Sequence, residues 1–167
     1  MKKYPLAPLA FCVIGGAALT ACIFVVAQQP HPPAHRAPFE TNIVKATLKN
    51  TDYRRVLYTG TNSQLVVMSI PPGGEVGAEV HLYVEQILYF QSGTGVAILD
   101  GTTTPVGPGD VVVVPPGTEH NFINTGHVPL QITTTYAPAN HIDGTVEKTK
   151  AEADANTADE NFSNAVR

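Results

Sequence analysis

The chain has no tryptophan, little aromatic character and few charges. Aromatic residues make up 7% of its 167 residues and charged residues 14%, whereas glycine and proline number 14 each. This composition disfavours long solvent-exposed helices and is typical of short strands joined by many turns. The length predicts one folded domain.

Cysteine occurs only at Cys12 and Cys22, inside an N-terminal apolar stretch. The rest of the chain therefore cannot form a disulfide framework, a thiolate nucleophile or a cysteine-rich zinc site. Basic residues are also scarce. Without Lys2 and Lys3 of the N-terminal stretch, the chain has 8 basic against 14 acidic residues. A mildly acidic body gives no basis for nucleic-acid binding.

A run of 22 residues, Leu6 to Ala27, carries no charge and follows the two lysines. This pattern predicts export, with three possible fates for residues 1–27. The length favours a retained membrane-spanning helix, while Val25-Val26-Ala27 before Gln28 fits a signal-peptide cleavage site. Leu19-Thr20-Ala21-Cys22 resembles a bacterial lipobox, with Cys22 lipidated. Each fate predicts a body that faces the periplasm or the cell exterior.

The rest of the chain divides by composition into three parts. Residues 28–39 contain four prolines, and this composition predicts a semi-extended linker. The sequence of residues 40–143 predicts a β-barrel. Residues 144–167 are polar and rich in Ala, Glu, Asp and Asn, which predicts a frayed helix or a disordered tail.

The barrel region consists of β-rich runs separated by glycine and proline turns, the pattern of an antiparallel barrel or jelly roll. Asp100-Gly101 is a strong hairpin signal. The continuous apolar run Val111 to Val114 predicts a strand covered on both faces. The predicted strands are 55–58, 64–70, 79–81, 86–91, 95–99, 102–106, 111–114, 121–124 and 130–136.

Four side chains predict a metal site. Glu79 and His81 are two residues apart on a predicted strand, so both lie on one face. Gln86 begins the next strand, and His120 follows a Pro-x-Gly turn. If these faces point inward, one carboxylate oxygen, two imidazole nitrogens and one amide oxygen converge. This thiolate-free set favours a divalent Mn, Fe, Ni or Zn ion.

Two segments resemble the motifs of the cupin superfamily. Gly109-x5-Pro115-x-Gly117-x2-His120-x3-Asn124 matches the second cupin motif at every defined position. Residues 73–93 resemble the first motif, G-x5-H-x-H-x3–4-E-x6-G, with Glu79 replacing the first histidine and Gln86 replacing the glutamate. The chain is similar to small single-domain bacterial cupins with this Glu-x-His…Gln variant. The resemblance covers roughly residues 52–153 and implies an all-β double-stranded β-helix, or jelly-roll cupin barrel. It also implies a homodimer. The apolar run before this region predicts that the barrel follows an N-terminal hydrophobic helix.

Glu85 is the alternative to Gln86 as the fourth ligand. Strand alternation puts the two side chains on opposite faces, and Gln86 keeps the six-residue gap to Gly93. We therefore predict Gln86 as the ligand. Gln86 could instead hydrogen-bond a metal-bound water, since a neutral amide is a weak ligand.

The predicted site suggests two functions. A six-coordinate ion with four protein ligands leaves two positions, which suit a small oxygen-chelating substrate. Its charge of about +1 with one carboxylate favours an anionic or enolising group, and an apolar lining of Leu88, Phe90 and Phe122 would keep the cavity dry. This predicts an exported metalloenzyme of the dioxygenase, isomerase or lyase type. The alternative is a non-catalytic, metal-centred module that binds a small ligand at the cell surface.

Three tyrosines, Tyr83, Tyr89 and Tyr136, are candidate acids by residue type only. Their expected role is packing of the barrel.

Overall fold

The structure, a computed structural model, describes residues 37–166. This part of the chain contains ten strands and three helices. These residues belong to one compact unit. The helices are α1 (Ile43–Lys49), α2 (Lys150–Ala155) and α3 (Thr157–Ala165). The strands are β1 (Arg54–Thr59), β2 (Gln64–Ile70), β3 (Glu79–Val80), β4 (Glu85–Ser92), β5 (Gly95–Leu99), β6 (Thr102–Val106), β7 (Val111–Val114), β8 (Glu119–Asn124), β9 (Leu130–Ala137) and β10 (Val146–Glu147).

The strands form two antiparallel sheets with the apolar core between them. One sheet has the order β10-β1-β2-β9-β4-β7 and the other β3-β8-β5-β6. The largest fully buried apolar side chains come from both sheets: Phe90, Phe122, Ile70, Leu88, Leu130 and Ile132. The predicted all-β double-stranded β-helix is therefore confirmed.

Strand β4 shows how the alternating pattern selects the inner face. Leu88 and Phe90 are fully buried, whereas their neighbours Ile87 and Tyr89 are 41% and 38% exposed. Because successive side chains of a strand point to opposite faces, the same alternation turns Gln86 inward and Glu85 outward.

The strand predicted at residues 111–114 is confirmed, but the prediction that both of its faces are covered was wrong. Strand β7 lies at the edge of the six-stranded sheet and pairs only with β4. Val111 and Val113 are 55% and 47% exposed, while Val114 is buried. This antiparallel sheet packs on the core with one face only, and a run of valines does not reveal which face is open.

Residues 144–165 also differ from the predicted frayed or disordered tail. They form β10, which pairs with β1, and the two helices α2 and α3. Glu147 and Asp159 from this segment are buried. The segment is ordered because its polar residues bond to the barrel. A short helix, α1, also precedes the barrel, and its Thr47 hydroxyl lies 2.7 Å from that of Thr133 on β9.

The predicted leader and most of the proline-rich linker fall outside the described residues. Within residues 37–166, no helix combines the length and apolar character that crossing a membrane requires.

A close backbone contact makes Gly95 necessary. A Cβ atom at this position of β5 would collide with the carbonyl oxygen of Ile123 on β8. We expect Gly95→Ala to lower the free energy of unfolding by about 1–3 kcal/mol, because the backbone of β8 must move. Gly107 is the matched control, since the nearest atom to its added Cβ would lie 3.8 Å away. Urea denaturation of both variants checks this, and equal losses would contradict it.

Candidate metal centre

The pairing of β3 with β8 brings three of the predicted ligands together. Glu79 lies opposite His120 in the register of the two strands. The Glu79 Oε1 atom is 3.3 Å from His81 Nε2 and 3.4 Å from His120 Nε2. The three residues offer ligand atoms that all lie within 4.8 Å of one another. Each side chain can thus give one atom to a single ion.

Backbone groups of the Pro-x-Gly turn hold both histidines in place. The Gly117 N–H donates to the His81 carbonyl at 2.9 Å. His120 Nδ1 lies 3.0 Å from the Thr118 carbonyl oxygen. A carbonyl only accepts hydrogen bonds, so the proton is on Nδ1 and Nε2 of the neutral ring carries the lone pair. This arrangement presents His120 Nε2 as a metal ligand.

Buried polar atoms without partners occur at three of the four predicted ligands. In the described part of the chain, three buried side-chain atoms have no hydrogen-bond partner: His81 Nε2, His120 Nε2 and Gln86 Oε1. All three belong to the four predicted ligands. A buried unpaired polar atom costs about 1–3 kcal/mol, so such atoms call for an explanation. A cation held by Glu79 and the two histidines would satisfy both Nε2 atoms, and these three residues therefore fit a divalent metal.

The charge of Glu79 suits a cation. Burial raises the pKa of this carboxyl, but the imidazoles of His120 and His81 lower it more, and the net pKa lies well below its usual range. Burial alone would lower the pKa of His120, yet the Glu79 carboxylate and the Thr118 carbonyl raise it above its ordinary value. The site therefore carries a carboxylate beside two imidazoles, which attracts positive charge.

The metal centre opens into a cavity of about 320 Å³. Glu79 and His81 line this cavity, and so do Arg54, His141 and Asp159. The volume is in the range of small-molecule sites.

The cupin domain family model matches residues 66–136, a span that contains all four predicted ligands. The crystal structure of BH2720 from Bacillus halodurans is 37% identical in sequence, with a TM-score of 0.70. The match covers 71% of this chain and 95% of BH2720. This chain belongs to the cupin superfamily.

Two further relatives are similar in sequence to this cupin. The uncharacterized protein YrkC of Bacillus subtilis is 40% identical over 122 residues, which cover 70% of this chain and 66% of YrkC. The match thus spans slightly less than two thirds of YrkC. The uncharacterized protein L612 of Acanthamoeba polyphaga mimivirus is 34% identical over 113 residues, covering 65% of this chain and 71% of L612.

Gln86 and Glu85 differ in how this cupin places them. Gln86 is 2% exposed and donates from Nε2 to the Thr134 hydroxyl at 3.2 Å, which leaves its Oε1 atom unpartnered. Its register partner on β9 is Tyr136, whose ring packs edge-on against His81. Glu85 is exposed on the other face. The position of Gln86 therefore suits the predicted ligand, whereas that of Glu85 does not.

The sequence did not reveal a buried polar cluster, three of whose residues, Arg54, His141 and Asp159, line the same cavity. His141 Nδ1 lies 2.7 Å from Asp159 Oδ2, and Asp159 Oδ1 accepts from the Ile142 N–H at 2.7 Å. Arg54 donates to Glu147 at 2.7 Å. Arg54 and Asp159 are 105 positions apart, and no motif links them. Only the fold brings them together.

The three tyrosines differ in how far their side chains are exposed. Tyr83 and Tyr89 are 53% and 38% exposed, whereas Tyr136 is 2% exposed. The Tyr136 ring packs edge-on against both His81 and His141, with centroid distances of 6.0 Å and 4.9 Å. Burial raises the pKa of its hydroxyl well above the usual range, so Tyr136 remains protonated and packs against a residue of the metal centre and a residue of the polar cluster.

His141 gives this cupin a testable dependence on pH. Burial lowers the pKa of His141 below its ordinary value; Asp159 opposes this shift and Arg54 adds to it. When the pH falls, His141 therefore binds a proton in the unfolded chain at a higher pH than in the folded protein. The stability that comes from neutral His141 is present above about pH 6.5 and is lost as the pH falls further. We expect His141→Gln to lose less stability than the wild type between about pH 8 and pH 5. Thermal unfolding of both proteins in EDTA checks this, and parallel losses would contradict it.

Proposed function

We propose that this cupin binds one divalent metal ion through Glu79, His81, Gln86 and His120. The three unpartnered buried atoms, His81 Nε2, His120 Nε2 and Gln86 Oε1, carry the proposal. The oxygen and nitrogen donors favour manganese, iron, nickel or zinc.

The residues around the site perform three tasks. Glu79 supplies negative charge, and the Thr118 carbonyl fixes the tautomer of His120. Phe122, fully buried, packs beside His120 with ring centroids 6.0 Å apart and excludes water from that side. A divalent ion bound here would supply Lewis acidity toward the oxygen atoms of a small ligand.

We further propose that the protein is a metalloenzyme acting on a small oxygen-chelating substrate, of the dioxygenase, isomerase or lyase type. The hydrogen bond with Asp159 places the proton of neutral His141 on Nδ1, and its Nε2 atom accepts from Arg54 at 3.4 Å. An oriented imidazole lining the same cavity supports proton-transfer chemistry. Turnover of a chelating substrate would support the enzyme, whereas tight binding without turnover would support the small-ligand-binding module. From the apolar run at residues 6–27, we propose that it acts outside the cytoplasm.

Metal content tests the proposed site directly. Full-length protein purified without a polyhistidine tag is compared with the His81→Ala/His120→Ala variant by inductively coupled plasma mass spectrometry. We expect about one ion per chain in the wild type and a small fraction of that in the variant, because both imidazole ligands are gone. His127→Ala is the matched control, since His127 is exposed. Equal metal content in wild type and double variant would overturn the site.

The two neighbouring candidates for the fourth ligand can be separated by substitution. We expect Gln86→Ala to weaken metal binding by roughly 10–100-fold, the effect typical of groups that contact a metal or its bound water. Glu85→Ala should leave the affinity unchanged, because Glu85 faces solvent. Competition with a fluorescent chelator measures both affinities. A loss confined to Glu85→Ala would reverse the assignment.

A further inference from the structure

A second cavity, of about 420 Å³, is separate from the metal centre. None of the four proposed metal ligands belongs to the described residues that line it. Four of its lining residues lie side by side at the ends of β10, β1, β2 and β9: Lys148, Tyr53, Ser69 and Gln131. The Tyr53 N–H donates to the Lys148 carbonyl, the Ser69 N–H donates to the Tyr53 carbonyl, and Ser69 is the register partner of Gln131. The volume is in the range of small-molecule sites.

This row of residues faces the outside of the barrel. Ser69 lies on β2 between Met68 and Ile70, whose side chains are buried in the core. Because side chains alternate along a strand, the side chain of Ser69 points to the outer face of the sheet. Its register partner Gln131 points to the same face. The proposed ligand Gln86, in contrast, lies on the inner face.

The exposed wall of the second cavity is largely apolar, although many of its residues are polar. The Gln131 Nε2 atom donates to three backbone carbonyls at the end of α1, at 3.1–3.2 Å. Both polar atoms of the Asn50 side chain bond to the backbone of Asp52. Pro71 and Pro129 add the surface of two exposed rings. Such a wall suits a flat apolar group.

One cation of this wall has no counter-charge. Lys150 bonds both carboxylate oxygens of Asp154 at 2.8 Å. The Glu75 carboxylate accepts at 2.7 Å from Asn121, which lies outside the lining. Lys148 is exposed, and its ammonium group forms no ion pair or hydrogen bond with another described residue. A monoanion therefore finds an unpaired positive charge here, although the whole chain has a net charge of −4.

The Ser69 hydroxyl adds a hydrogen-bond donor to the same wall. Ser69 is 9% exposed, and its hydroxyl makes no hydrogen bond with another described residue. Such a hydroxyl is free to donate to an oxygen atom of a ligand. Neighbouring strands lie about 4.8 Å apart, so Ser69 is about 10 Å from Lys148 along the row. The long lysine side chain can span much of this distance, and one carboxylate between the two residues can meet both groups.

We propose that the second cavity is a ligand site for a small aromatic carboxylate. The ring of the ligand packs on Pro71 and Pro129, and its carboxylate accepts from the Lys148 ammonium and the Ser69 hydroxyl. This site does not rest on the proposed metal centre, because none of its residues is a proposed metal ligand.

A matched pair of probes tests the preference for an anion. Benzoate and benzamide share the ring and differ in charge. Their dissociation constants are measured by NMR titration of the full-length, metal-free protein, since a carboxylate can also chelate a bound ion. We expect benzoate to bind roughly 2–5-fold more tightly than benzamide, the effect of one exposed ion pair. Equal affinities, or no binding of benzoate at millimolar concentrations, would overturn the inference.

Three variants identify the site. Lys148→Gln should reduce the affinity for benzoate to that of benzamide, and the exposed position preserves the fold. Lys45→Gln is the matched control, because Lys45 is exposed on α1 and lies outside the lining. The His81→Ala/His120→Ala protein should bind benzoate as the wild type does, whether or not the metal site is correct. An advantage of benzoate that survives Lys148→Gln, or that disappears in either of the other two variants, would contradict the proposal.

Discussion

The metal-free protein should unfold at a markedly higher temperature once a divalent ion is added. An ion at 100 times its dissociation constant stabilises the native state by about 2.7 kcal/mol. For a domain of this size, that free energy raises the midpoint of thermal unfolding by roughly 8–10 °C. The gain arises because the ion satisfies three buried atoms that otherwise have no partner. Differential scanning fluorimetry with Mn²⁺, Fe²⁺, Ni²⁺ and Zn²⁺ measures the shift.

Two variants show whether the shift comes from the proposed ligands. The His81→Ala/His120→Ala protein should show no rise in its midpoint with any of the four ions. His127→Ala should keep the full rise, because it removes an exposed imidazole. An equal rise in all three proteins would place the binding elsewhere.

Phe122→Ala should be among the most destabilising single changes in the barrel core. Phe122 is fully buried on β8, and its ring packs against Phe90 with centroids 5.9 Å apart. Its removal leaves a cavity between the sheets, and we expect the free energy of unfolding to fall by about 3–5 kcal/mol. Denaturant unfolding of the metal-free protein measures this without a contribution from the ion.

Ile87→Ala provides the comparison for that loss. Ile87 lies on β4 with its side chain 41% exposed on the outer face of the sheet. Its truncation should cost much less, since little of the side chain is removed from the core. Similar losses for Ile87→Ala and Phe122→Ala would mean that the inner face has been misassigned.

Local patterns predicted the strands of the barrel well. Alternation and turn residues act over a few positions, so β2, β5, β6 and β7 begin and end at the predicted residues. The same alternation predicted that the side chains of Glu79 and His81 lie together, and they are 3.3 Å apart, although β3 ends at Val80, one residue before His81. It did not reveal that β7 is an edge strand, because its neighbours in the sheet are decided by distant segments.

The C-terminal segment could be predicted only in part. Thr149 and Glu152 have the spacing of a helix-capping box, and the Thr149 hydroxyl accepts from the Glu152 N–H at 3.1 Å. That signal could have located the start of α2. The docking of α3 depends instead on Asp159 meeting His141 and Arg54, 18 and 105 positions away. Polar composition suggested disorder, but these buried partners stabilise the segment.

Anomalous diffraction from crystals of the metal-loaded protein tests the central claim most directly. We predict one strong peak at the absorption edge of the bound metal, within about 2.0–2.3 Å of His81 Nε2, His120 Nε2, Glu79 Oε1 and Gln86 Oε1. The contradicting result is a map with no peak between these atoms and with waters hydrogen-bonded to both Nε2 atoms. The barrel would then be a cupin in which these four side chains serve hydrogen bonding alone.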